Sequence, residues 1–463
     1  MTRLNLALVL LSFTVSAMGQ GGDDIRGPLK FTPLTDSVAV GSLPDDAPFA
    51  IPAGFSQTVI WDEQGRYSAG GDVYAGQNDW PDMNQVNARG KFAGRYLYTS
   101  HEVRANIGGG PHGAVSVLDL WTGEKSVLAQ VSHWEAIDGL IWTPWKTLLT
   151  AEEASFTRSY QDPTWPARHG LLYEITLDPR RPDLATETTV RPALGSIAHE
   201  GIGIDKRWNV YVIDEYQSSS SPDSRPDGAV YRFVPDRPGD LSSGTLYALR
   251  VIDEGAAPGI GTGTAEWVAL IPGENGVTMD PRRDARMAAQ QAGVTTYRRP
   301  EDVEVIGDVL YVATTADGRV IAIDLGGGAE PFVYEFVAPG VNVPAEDAGA
   351  GIAGLARSDN LASDHAGNLY ICEDNSPGDI WVATPDRDHD GYADTVALFA
   401  SLSTPGAEPT GIFVGKDPHA MFVNVQHASN RNDKTIVIRK QLRLRDRLRD
   451  WLRYRQRPRR HRR

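Results

Sequence analysis

Val309-Leu-Tyr-Val-Ala313 and Arg319-Val-Ile-Ala-Ile-Asp324 are the stretches of sequence that decide the fold. Both are short and rich in β-branched or aromatic residues, and Gly318 directly precedes the second stretch. Short apolar runs bounded by Gly, Pro, Asn or Asp are typical of neighbouring antiparallel strands. The two stretches therefore predict paired strands within a larger sheet.

Two further pairs of runs follow the same design: Asn209–Asp214 with Ala229–Val234, and Asn368–Cys372 with Asp379–Ala383. Because such pairs recur and helical periodicity is rare, we predict an all-β fold of the β-propeller type with short helical insertions. The spacing of the pairs is irregular, so an array of β-sandwiches is the competing architecture. One helix is predicted in the body, from about Pro281 to Ala292, where Met, Ala and Gln favour it.

The N-terminal residues have the layout of a secretory signal peptide. Arg3 precedes an apolar run from Leu4 to Val15, and small residues then offer a cleavage site after Ala17 or Gly19. We expect residues 1–19 to be a signal peptide and the protein to be exported to the periplasm or the extracellular space, with an uncleaved N-terminal anchor as the alternative. Residues 20–54 form a leader segment, residues 55–438 the propeller domain, and residues 439–463 a basic tail.

Charge separates the body of the chain from this tail. The whole chain has a net charge of −15, and residues 439–463 carry thirteen Arg or Lys against two Asp, which leaves −26 on the first 438 residues. An acidic body argues against nucleic acid as a partner and for metal cations. In the tail, Leu444, Leu448, Trp451 and Leu452 recur at helical spacing among arginines, a pattern that suits an anionic membrane surface. A basic extension that docks weakly on the acidic body is the alternative.

The sharpest local motif is Asp386-Arg-Asp-His-Asp-Gly-Tyr-Ala-Asp394. Its carboxylates, at Asp386, Asp388, Asp390 and Asp394, can supply several oxygens from one turn, which is the arrangement that Ca²⁺ prefers, and the glycine allows a sharp bend. Counted from Asp386, the twelfth position is Ala397, where an EF-hand loop has Glu. We predict a Ca²⁺ loop between strands, with an Asp-rich solvent turn as the alternative.

Four acidic segments each end or begin a predicted strand. They are Ser100-His-Glu102, Ala151-Glu-Glu153, His199-Glu-Gly201 and Arg299-Pro-Glu-Asp302. One such segment alone is typical of a surface carboxylate or a satisfied salt bridge. If several converge on one propeller axis they form a multi-metal site, and an arginine beside them suits a phosphate or carboxylate ligand.

A series of longer segments carries a resemblance to a known family. In chain order they are Tyr98–Glu102, Thr143–Glu153, Leu194–Gly201, Gly228–Pro235, Tyr297–Glu301, Asp359–Leu361, Gly367–Asp374, Glu408–Gly411 and Phe422–His427. Together these segments resemble the PhoX family of bacterial alkaline phosphatases, over nearly all of the expected propeller domain. The resemblance implies a six-bladed propeller, export, and hydrolysis of phosphate monoesters by a cluster of calcium and iron ions on the axis.

The resemblance also implies roles for individual residues. Glu102, Glu200 and Glu301 match metal ligands of the family, and Arg299 matches the arginine that holds the substrate phosphate, so Arg299 and Glu301 are the expected catalytic pair. Further candidates for metal ligands or their supporting partners are Glu153, Asp359, Asn360, Glu373 and Asp374.

The sequence departs from the family pattern where a cysteine thiolate bridges two irons. Residues 76–84 contain no cysteine, Ser100 stands where the family has Asn, and Asp138 begins the run that replaces a Cys-Ala-Gly-Gly segment. Cys372 belongs to a later blade. Asp82 can supply a hard oxygen, so we expect an all-Ca²⁺ or otherwise altered site at the axis in preference to a thiolate-bridged Fe³⁺ pair.

These observations predict an exported, Ca²⁺-dependent hydrolase of phosphate monoesters with an axial, carboxylate-bound metal cluster. Two alternatives remain open. One is a non-catalytic propeller that calcium stabilises and that binds a ligand or a surface. The other is a propeller lactonase or esterase, which would use axial Ca²⁺ without needing Arg299 and could employ His101, His112, His199 or His427 as acid or base.

Overall fold

The computed structural model describes Gly27 and residues 29–65, 80–104, 112–153, 169–217, 227–254, 259–326, 330–345 and 354–442. The predicted signal peptide lies outside these ranges, and so does the predicted tail beyond its first four residues. Among the described helices, none combines the length and the apolar character needed to cross a membrane.

Antiparallel strands are the main secondary structure of the described chain. The first ten strands are β1 (Phe49–Ala50), β2 (Phe55–Asp62), β3 (Pro81–Val86), β4 (Tyr96–His101), β5 (Ala114–Asp119), β6 (Lys125–Ala129), β7 (Ile137–Trp142), β8 (Thr147–Glu152), β9 (Leu172–Leu177) and β10 (Ala185–Val190). Strands β3 to β6 form one sheet in chain order, and β7 to β10 form the next. Each is therefore a simple meander, as in a propeller blade.

The middle of the chain forms one sheet of nine strands. Its elements are β11 (His199–Ile204), β12 (Val210–Asp214), β13 (Val230–Arg237), β14 (Asp240–Asp253), β15 (Gly263–Ala269), β16 (Pro300–Ile306), β17 (Val309–Thr314), β18 (Arg319–Asp324) and β19 (Phe332–Val337). Two meanders, β11 to β14 and β16 to β19, are joined because β15 pairs with both β14 and β19. Helix α1 (Pro281–Gln291) lies between them in sequence.

The last seven strands complete the fold together with the first two. They are β20 (Ser358–Ser363), β21 (Leu369–Glu373), β22 (Gly378–Ala383), β23 (Val396–Leu402), β24 (Glu408–Val414), β25 (Ala420–Gln426) and β26 (Lys434–Lys440). Strand β1 adds to the edge of β23, and β2 pairs with β26 from Phe55 opposite Lys440 to Asp62 opposite Lys434. A strand from the start of the chain thus completes the sheet formed by its end.

The described strands close into a ring. The first strands of the six meanders, β3, β7, β11, β16, β20 and β24, pack against one another in that order, and β24 returns to β3. We refer to the meanders that begin with these strands as blades 1 to 6. The prediction of an all-β propeller is confirmed, and so are the three predicted strand pairs and the predicted helix, which is α1 with Asp280 as its N-cap.

Apolar side chains fill the space between neighbouring blades. Between blades 5 and 6 the ring of Phe399 lies 4.9 Å from that of Phe31, 5.4 Å from that of Phe55 and 5.7 Å from that of Tyr370. Phe31 belongs to the predicted leader segment, so part of that segment packs into the core. Burying such apolar surface is the main term that holds the blades together.

Candidate metal centre

A β-bulge interrupts the first strand of each blade. In blade 1, Pro81 pairs with His101 and Asn84 pairs with Thr99, so that two residues on β3 lie opposite one on β4. The first bulged residue is acidic in blades 1 to 5, namely Asp82, Asp138, Glu200, Glu301 and Asp359. In blade 6 it is Gly411. A bulge changes the direction of the side chain it carries. Because the bulge occurs at the same place in each first strand, it brings five carboxylates to one level of the ring.

The second strand of each blade ends close to the same level. The residues that directly follow these six strands are Glu102, Glu153, Glu215, Thr315, Asp374 and His427. Three of the six are glutamates from adjacent blades. The carboxylates of these three glutamates lie close to those of the bulged acids.

Seven acids from blades 1 to 4 form a continuous cluster, which we call the axial arc. It consists of three overlapping groups, and within each group one oxygen from every carboxylate lies within 4.8 Å of the others: Asp82, Glu102 and Asp138; Asp138, Glu153 and Glu200; Glu200, Glu215 and Glu301. Asp138 and Glu200 each belong to two groups. The fold brings together acids that are up to 219 positions apart in the sequence, from Asp82 to Glu301.

Two glycines let the bulges of adjacent blades approach one another. A Cβ atom on Gly139 would lie 2.1 Å from the carbonyl oxygen of Glu200, and one on Gly201 would lie 1.8 Å from Oδ1 of Asp302. Neither gap admits a side chain. The residue after the bulged acid is therefore fixed as glycine in blades 2 and 3 by packing between blades.

Burial dominates the electrostatics of the axial arc. Removal from water raises the pKa of Asp82, Glu102, Asp138, Glu200, Glu215 and Glu301, and it raises that of Glu153 to about 7. For Asp138 and Glu200, repulsion by neighbouring carboxylates acts in the same direction. Clustered, buried carboxylates are costly unless positive charge compensates them.

The donor set of the arc fits metal cations. Gln426 donates from Nε2 to Asp82 at 3.3 Å and to Glu102 at 3.2 Å, which orients both carboxylates. Oδ1 of Asp82 and Oδ1 of Asp138 are buried without a hydrogen-bond partner among the described residues. Oxygen atoms that are held in place and left without donors suit hard divalent cations.

Two arginines lie against the axial arc. Arg299 contacts Glu215 through Nε at 2.8 Å, Glu301 through Nη2 at 2.8 Å and Asp374 through Nη1 at 3.3 Å. Its backbone φ is 49°, in the left-handed region that non-glycine residues rarely adopt. Such a conformation is retained only where the surroundings hold it, and here the carbonyl oxygen of Arg299 accepts a hydrogen bond from the backbone N–H of Thr315 at 2.9 Å.

Arg104 is the second arginine, and it connects blades 1 and 2. Its Nε donates to Oε1 of Glu102 at 2.6 Å, and its Nη2 forms ion pairs with Oε1 of Glu102 and Oε2 of Glu153. Both glutamate side chains are buried, whereas the side chain of Arg104 is 43% exposed. The guanidinium therefore lies at the mouth of the cluster.

A model of a known family matches most of the propeller. The family is described as alkaline phosphatase PhoX, and the match covers residues 141–429. The chain belongs to the PhoX family. Three of the five bulged acids of this PhoX-family chain lie within the matched residues, whereas Asp82, Glu102, Arg104 and Asp138 precede them. No curated protein sequence matches the chain significantly.

One solved structure supports the same architecture. PhoX from Pseudomonas fluorescens, in complex with vanadate as a transition state analogue, is similar with a TM-score of 0.63 and 18% identity, over 88% of this chain and 98% of that chain. A gluconolactonase from Xanthomonas campestris has a TM-score of 0.44 and 13% identity, over 88% of this chain and 98% of its own. The PQQ-bound aldose sugar dehydrogenase from Streptomyces coelicolor has a TM-score of 0.42 and 13% identity, over 84% and 99%. The last two similarities are too low to bear on function.

The structure gathers most of the residues expected at the axis. Glu102, Glu153, Glu200 and Glu301 are members of the axial arc, and Arg299 contacts Glu301. Asp359 occupies the bulge of blade 5, where burial and the charges of Asp82 and Asp374 raise its pKa well above the usual value. Asn360 links blade 5 to blade 6, since its Oδ1 accepts a hydrogen bond from the backbone N–H of Gly411 at 2.6 Å.

Glu373, a candidate for a metal ligand or a supporting partner, lies outside the arc. Its Oε1 accepts hydrogen bonds from the backbone N–H of Ala356 at 2.8 Å and from Nε1 of Trp381 at 3.0 Å. It is the last residue of β21, and alternation along the strand gives it a different direction from its neighbour Asp374. Glu152 occupies the same position in blade 2 and likewise accepts from the backbone N–H groups of Glu135 and Leu171.

The predicted Ca²⁺ loop lies at the opposite edge of blade 5 from the axial acids. Strand β22 begins beside the end of β21 and ends at Ala383, and the loop follows it. Asp386, Asp388 and Asp394 bring one oxygen each within 4.8 Å of the others, whereas Asp390 is outside the group. Gly391 has a φ of 94°, which is the sharp bend expected of it.

Sequence reasoning missed Glu215, Glu408 and Arg104 and gave Asp138 no role as a ligand. Glu408 lies beside His427, with 3.3 Å between Oε1 and Nε2, and burial, reinforced by the charge of Arg104, lowers the pKa of His427 to about 4. One signal was present in the sequence. Asp138 and Glu200 each occupy the second position of a strand, after Ile137 or His199, and each is followed directly by glycine.

Cys372 has the environment of a core residue. It is buried among apolar side chains of blades 5 and 6, and burial raises the pKa of its thiol well above the usual value. A buried neutral thiol is a poor metal ligand. The environment of Cys372 offers no support for an iron-bridging role.

Proposed function

We propose that the protein hydrolyses phosphate monoesters at the axial arc, with Ca²⁺ held by its carboxylates. The observation that carries the proposal is the direct contact between Arg299 and Glu301, at the end of a run of seven clustered acids, in a chain of the PhoX family. Acids that bind cations next to an arginine are what recognition of a phosphoryl group requires.

The residues of the arc have separate tasks in this proposal. The carboxylates of Asp82, Glu102 and Asp138, and those of the two groups that follow, would hold the cations. Bound cations supply charge neutralisation of the phosphoryl oxygens and a more acidic water. Arg299 binds a phosphoryl oxygen, and its ion pairs with Glu215 and Glu301 fix the direction of its guanidinium before substrate arrives.

Calcium is the favoured cation because the donors are all oxygen atoms. Ca²⁺ takes six to eight oxygen ligands in flexible geometry, and overlapping groups of acids can supply them. Iron bridged by a thiolate lacks its sulfur ligand near the arc, since Cys372 is buried in the apolar core. Vanadate is bound by the related PhoX of Pseudomonas fluorescens, and we expect it to inhibit this protein as well.

We also propose that the protein is exported and acts outside the cytoplasm. The apolar run of residues 4–15, with Arg3 before it and small residues after it, supports this localisation. The basic residues 439–463 support a second proposal, contact with an anionic membrane surface. Sedimentation of the full chain and of a tail-less variant with anionic liposomes tests the latter, and equal binding would contradict it.

One experiment tests the proposed activity. The protein is freed of metal with a chelator, its metal content is measured, and hydrolysis of an aryl phosphate is followed after Ca²⁺, Fe³⁺ or both are returned. We expect turnover to return with Ca²⁺ alone and vanadate to abolish it. Absence of turnover in every metal condition would contradict the proposal and favour a non-catalytic, calcium-stabilised binding protein.

A variant of Arg299 separates a phosphatase from a lactonase or esterase. Arg299→Gln keeps the side chain polar and removes its charge, so we expect kcat/KM for the aryl phosphate to fall by roughly 10²- to 10³-fold. Arg298→Gln is the matched control, since Arg298 is 50% exposed and pairs with Asp317 on the surface. Lactone hydrolysis that survives the change at Arg299 would favour the alternative enzyme class.

A further inference from the structure

Arg104 occupies a position at the axial arc that the family resemblance does not assign. It lies two residues beyond Glu102, and its guanidinium spans the gap between blades 1 and 2 by pairing with Glu102 and Glu153. A chain of contacts continues to Arg299. Glu153 and Glu215 each place an oxygen within 4.8 Å of one of Glu200, and Glu215 accepts from Nε of Arg299 at 2.8 Å. The two arginines therefore flank one pair of carboxylates.

The two arginines differ in what they can offer a ligand. Every guanidinium nitrogen of Arg299 already contacts a carboxylate, and its side chain is 33% exposed. Arg104 uses Nε and Nη2, while its Nη1 donates to none of the residues that the structure describes, and its side chain is 43% exposed. Arg104 thus keeps N–H groups on Nη1 that no described residue accepts.

Arg104 is also held in place before any ligand arrives. Its two partners are buried, with only 7% of each glutamate side chain exposed, and three ion-pair contacts fix the guanidinium plane. Holding a planar fork rigidly lowers the entropic cost of binding an anion. A long surface arginine without such partners would lack this advantage.

We propose that Arg104 is a second anion-binding arginine of the axial site, which holds the phosphoryl group together with Arg299. This inference deepens the proposed function and rests on it for the identity of the ligand. The N–H edge of Arg104 would bind one phosphoryl oxygen from the side of blades 1 and 2, while Arg299 binds from the side of blade 4. A merely compensating role for Arg104, in which it only neutralises Glu102 and Glu153, makes the opposite prediction for phosphate binding.

Calorimetric titration with inorganic phosphate tests the inference on the full chain loaded with Ca²⁺. We expect Arg104→Gln to bind phosphate at least about tenfold more weakly than the wild type, because a charge-assisted hydrogen bond is lost. Arg104→Lys keeps the charge without the fork and should recover part of the affinity. Arg181→Gln is the control, since Arg181 is 66% exposed and pairs with Asp183. Thermal midpoints of all variants verify folding, and Arg104→Lys keeps the test available if Arg104→Gln does not fold.

Metal content measured on the same samples decides what a loss of affinity means. Weaker phosphate binding with unchanged bound Ca²⁺ supports the inference. Unchanged phosphate affinity in Arg104→Gln would overturn it, and so would a fall in affinity that is matched by loss of Ca²⁺, because the effect would then pass through the cations. Absence of phosphate binding by the wild type would overturn it as well.

The same measurements keep this inference separate from the proposed activity. If the protein hydrolyses aryl phosphates but its phosphate affinity does not depend on Arg104, the proposed activity is supported and the inference is overturned. Phosphate binding that depends on Arg104, without turnover in any metal condition, would support the inference and contradict the proposed activity.

Discussion

The axial arc and the loop from Asp386 to Asp394 are both acidic, yet they solve the problem of clustered negative charge in different ways. The arc draws on four blades and buries its acids, whereas the loop takes three acids from nine consecutive residues at the surface. In the loop, the oxygens of Asp386 accept hydrogen bonds from the backbone N–H groups of His389 and Gly391. Oδ1 of Asp82 and Oδ1 of Asp138 in the arc lack any such partner among the described residues.

This difference indicates how strongly each region depends on a cation. Backbone donors and solvent compensate the charge of the loop, so a bound ion would add modestly to its stability. Burial leaves the arc with raised pKa values and repulsion between neighbours. We therefore expect the arc to need its cations for function and for stability near neutral pH, and the loop to gain comparatively little.

The largest effect is expected from Glu200, which belongs to two of the three groups in the arc. Glu200→Gln removes one charged ligand from both groups, so we expect kcat/KM for an aryl phosphate to fall on the order of 10³-fold, with loss of bound Ca²⁺. Steady-state kinetics and elemental analysis measure both effects. Glu187→Gln, at an exposed position of β10, is the control. Full activity and metal content in Glu200→Gln would show that the catalytic site lies elsewhere.

Metal removal should change how stability depends on pH. Burial raises the pKa of Glu153 from 4.5 to about 7, so the folded, metal-free protein binds more protons than the unfolded chain between these values. Its free energy of unfolding should therefore fall as the pH rises from about 4.5 through 7, by on the order of a few kcal/mol for the arc as a whole.

Thermal melts at pH 5 and pH 8, with chelator and with Ca²⁺, measure this effect. At pH 8 the thermal midpoint should be higher with Ca²⁺ than with chelator, because ionised carboxylates bind the ion. A metal-free midpoint that rises between pH 5 and pH 8 would contradict the raised pKa values of the arc.

The next effect concerns the bulges that build the arc. Gly139→Ala would force a Cβ atom to within 2.1 Å of the carbonyl oxygen of Glu200, so blades 2 and 3 must separate. We expect a loss of about 2 kcal/mol in the free energy of unfolding. In the matched control Gly203→Ala, the nearest atom is Cγ2 of the Val305 side chain at 3.1 Å, and the loss should be smaller. Equal effects in urea melts would contradict the close approach of the two bulges.

The smallest effect is expected in the loop. Asp388→Asn removes one of its three grouped carboxylates, so bound Ca²⁺ should fall by about one ion per chain, with a stability loss of about 1 kcal/mol in Ca²⁺. Asp390→Asn is the control, because Asp390 lies outside the group. Calorimetric titration with Ca²⁺ measures the stoichiometry, and an unchanged value in Asp388→Asn would remove the loop as a calcium site.

Local sequence predicts strands well and predicts sites built between blades poorly. The pairing of β17 with β18 follows from their apolar runs and the glycine between them, and all the residues that decide it are close in sequence. The direction of Asp138 depends on a bulge, that is, on the register of β7 against β8. No short window of the sequence contains that register.

The resemblance to the PhoX family filled part of this gap and left part of it open. It directed attention to Glu102, Glu200 and Glu301, which the structure brings into one arc. Arg104 belongs to none of the quoted segments, and its role depends on a contact with Glu153, 49 positions away in the chain. Glu373 lies in a matching segment but outside the arc, and its Oε1 accepts hydrogen bonds from the backbone N–H of Ala356 and from Nε1 of Trp381.

The pairing of β2 with β26 has a consequence for when the proposed metal site can form. Strand β2 has no partner in blade 6 until residues 434–440 have been synthesised, and Gln426, which orients Asp82 and Glu102, is also made late. The ring therefore closes only after residues 434–440 have left the ribosome. Loading of the proposed axial site with cations would then be set by the ion supply of the compartment in which folding finishes.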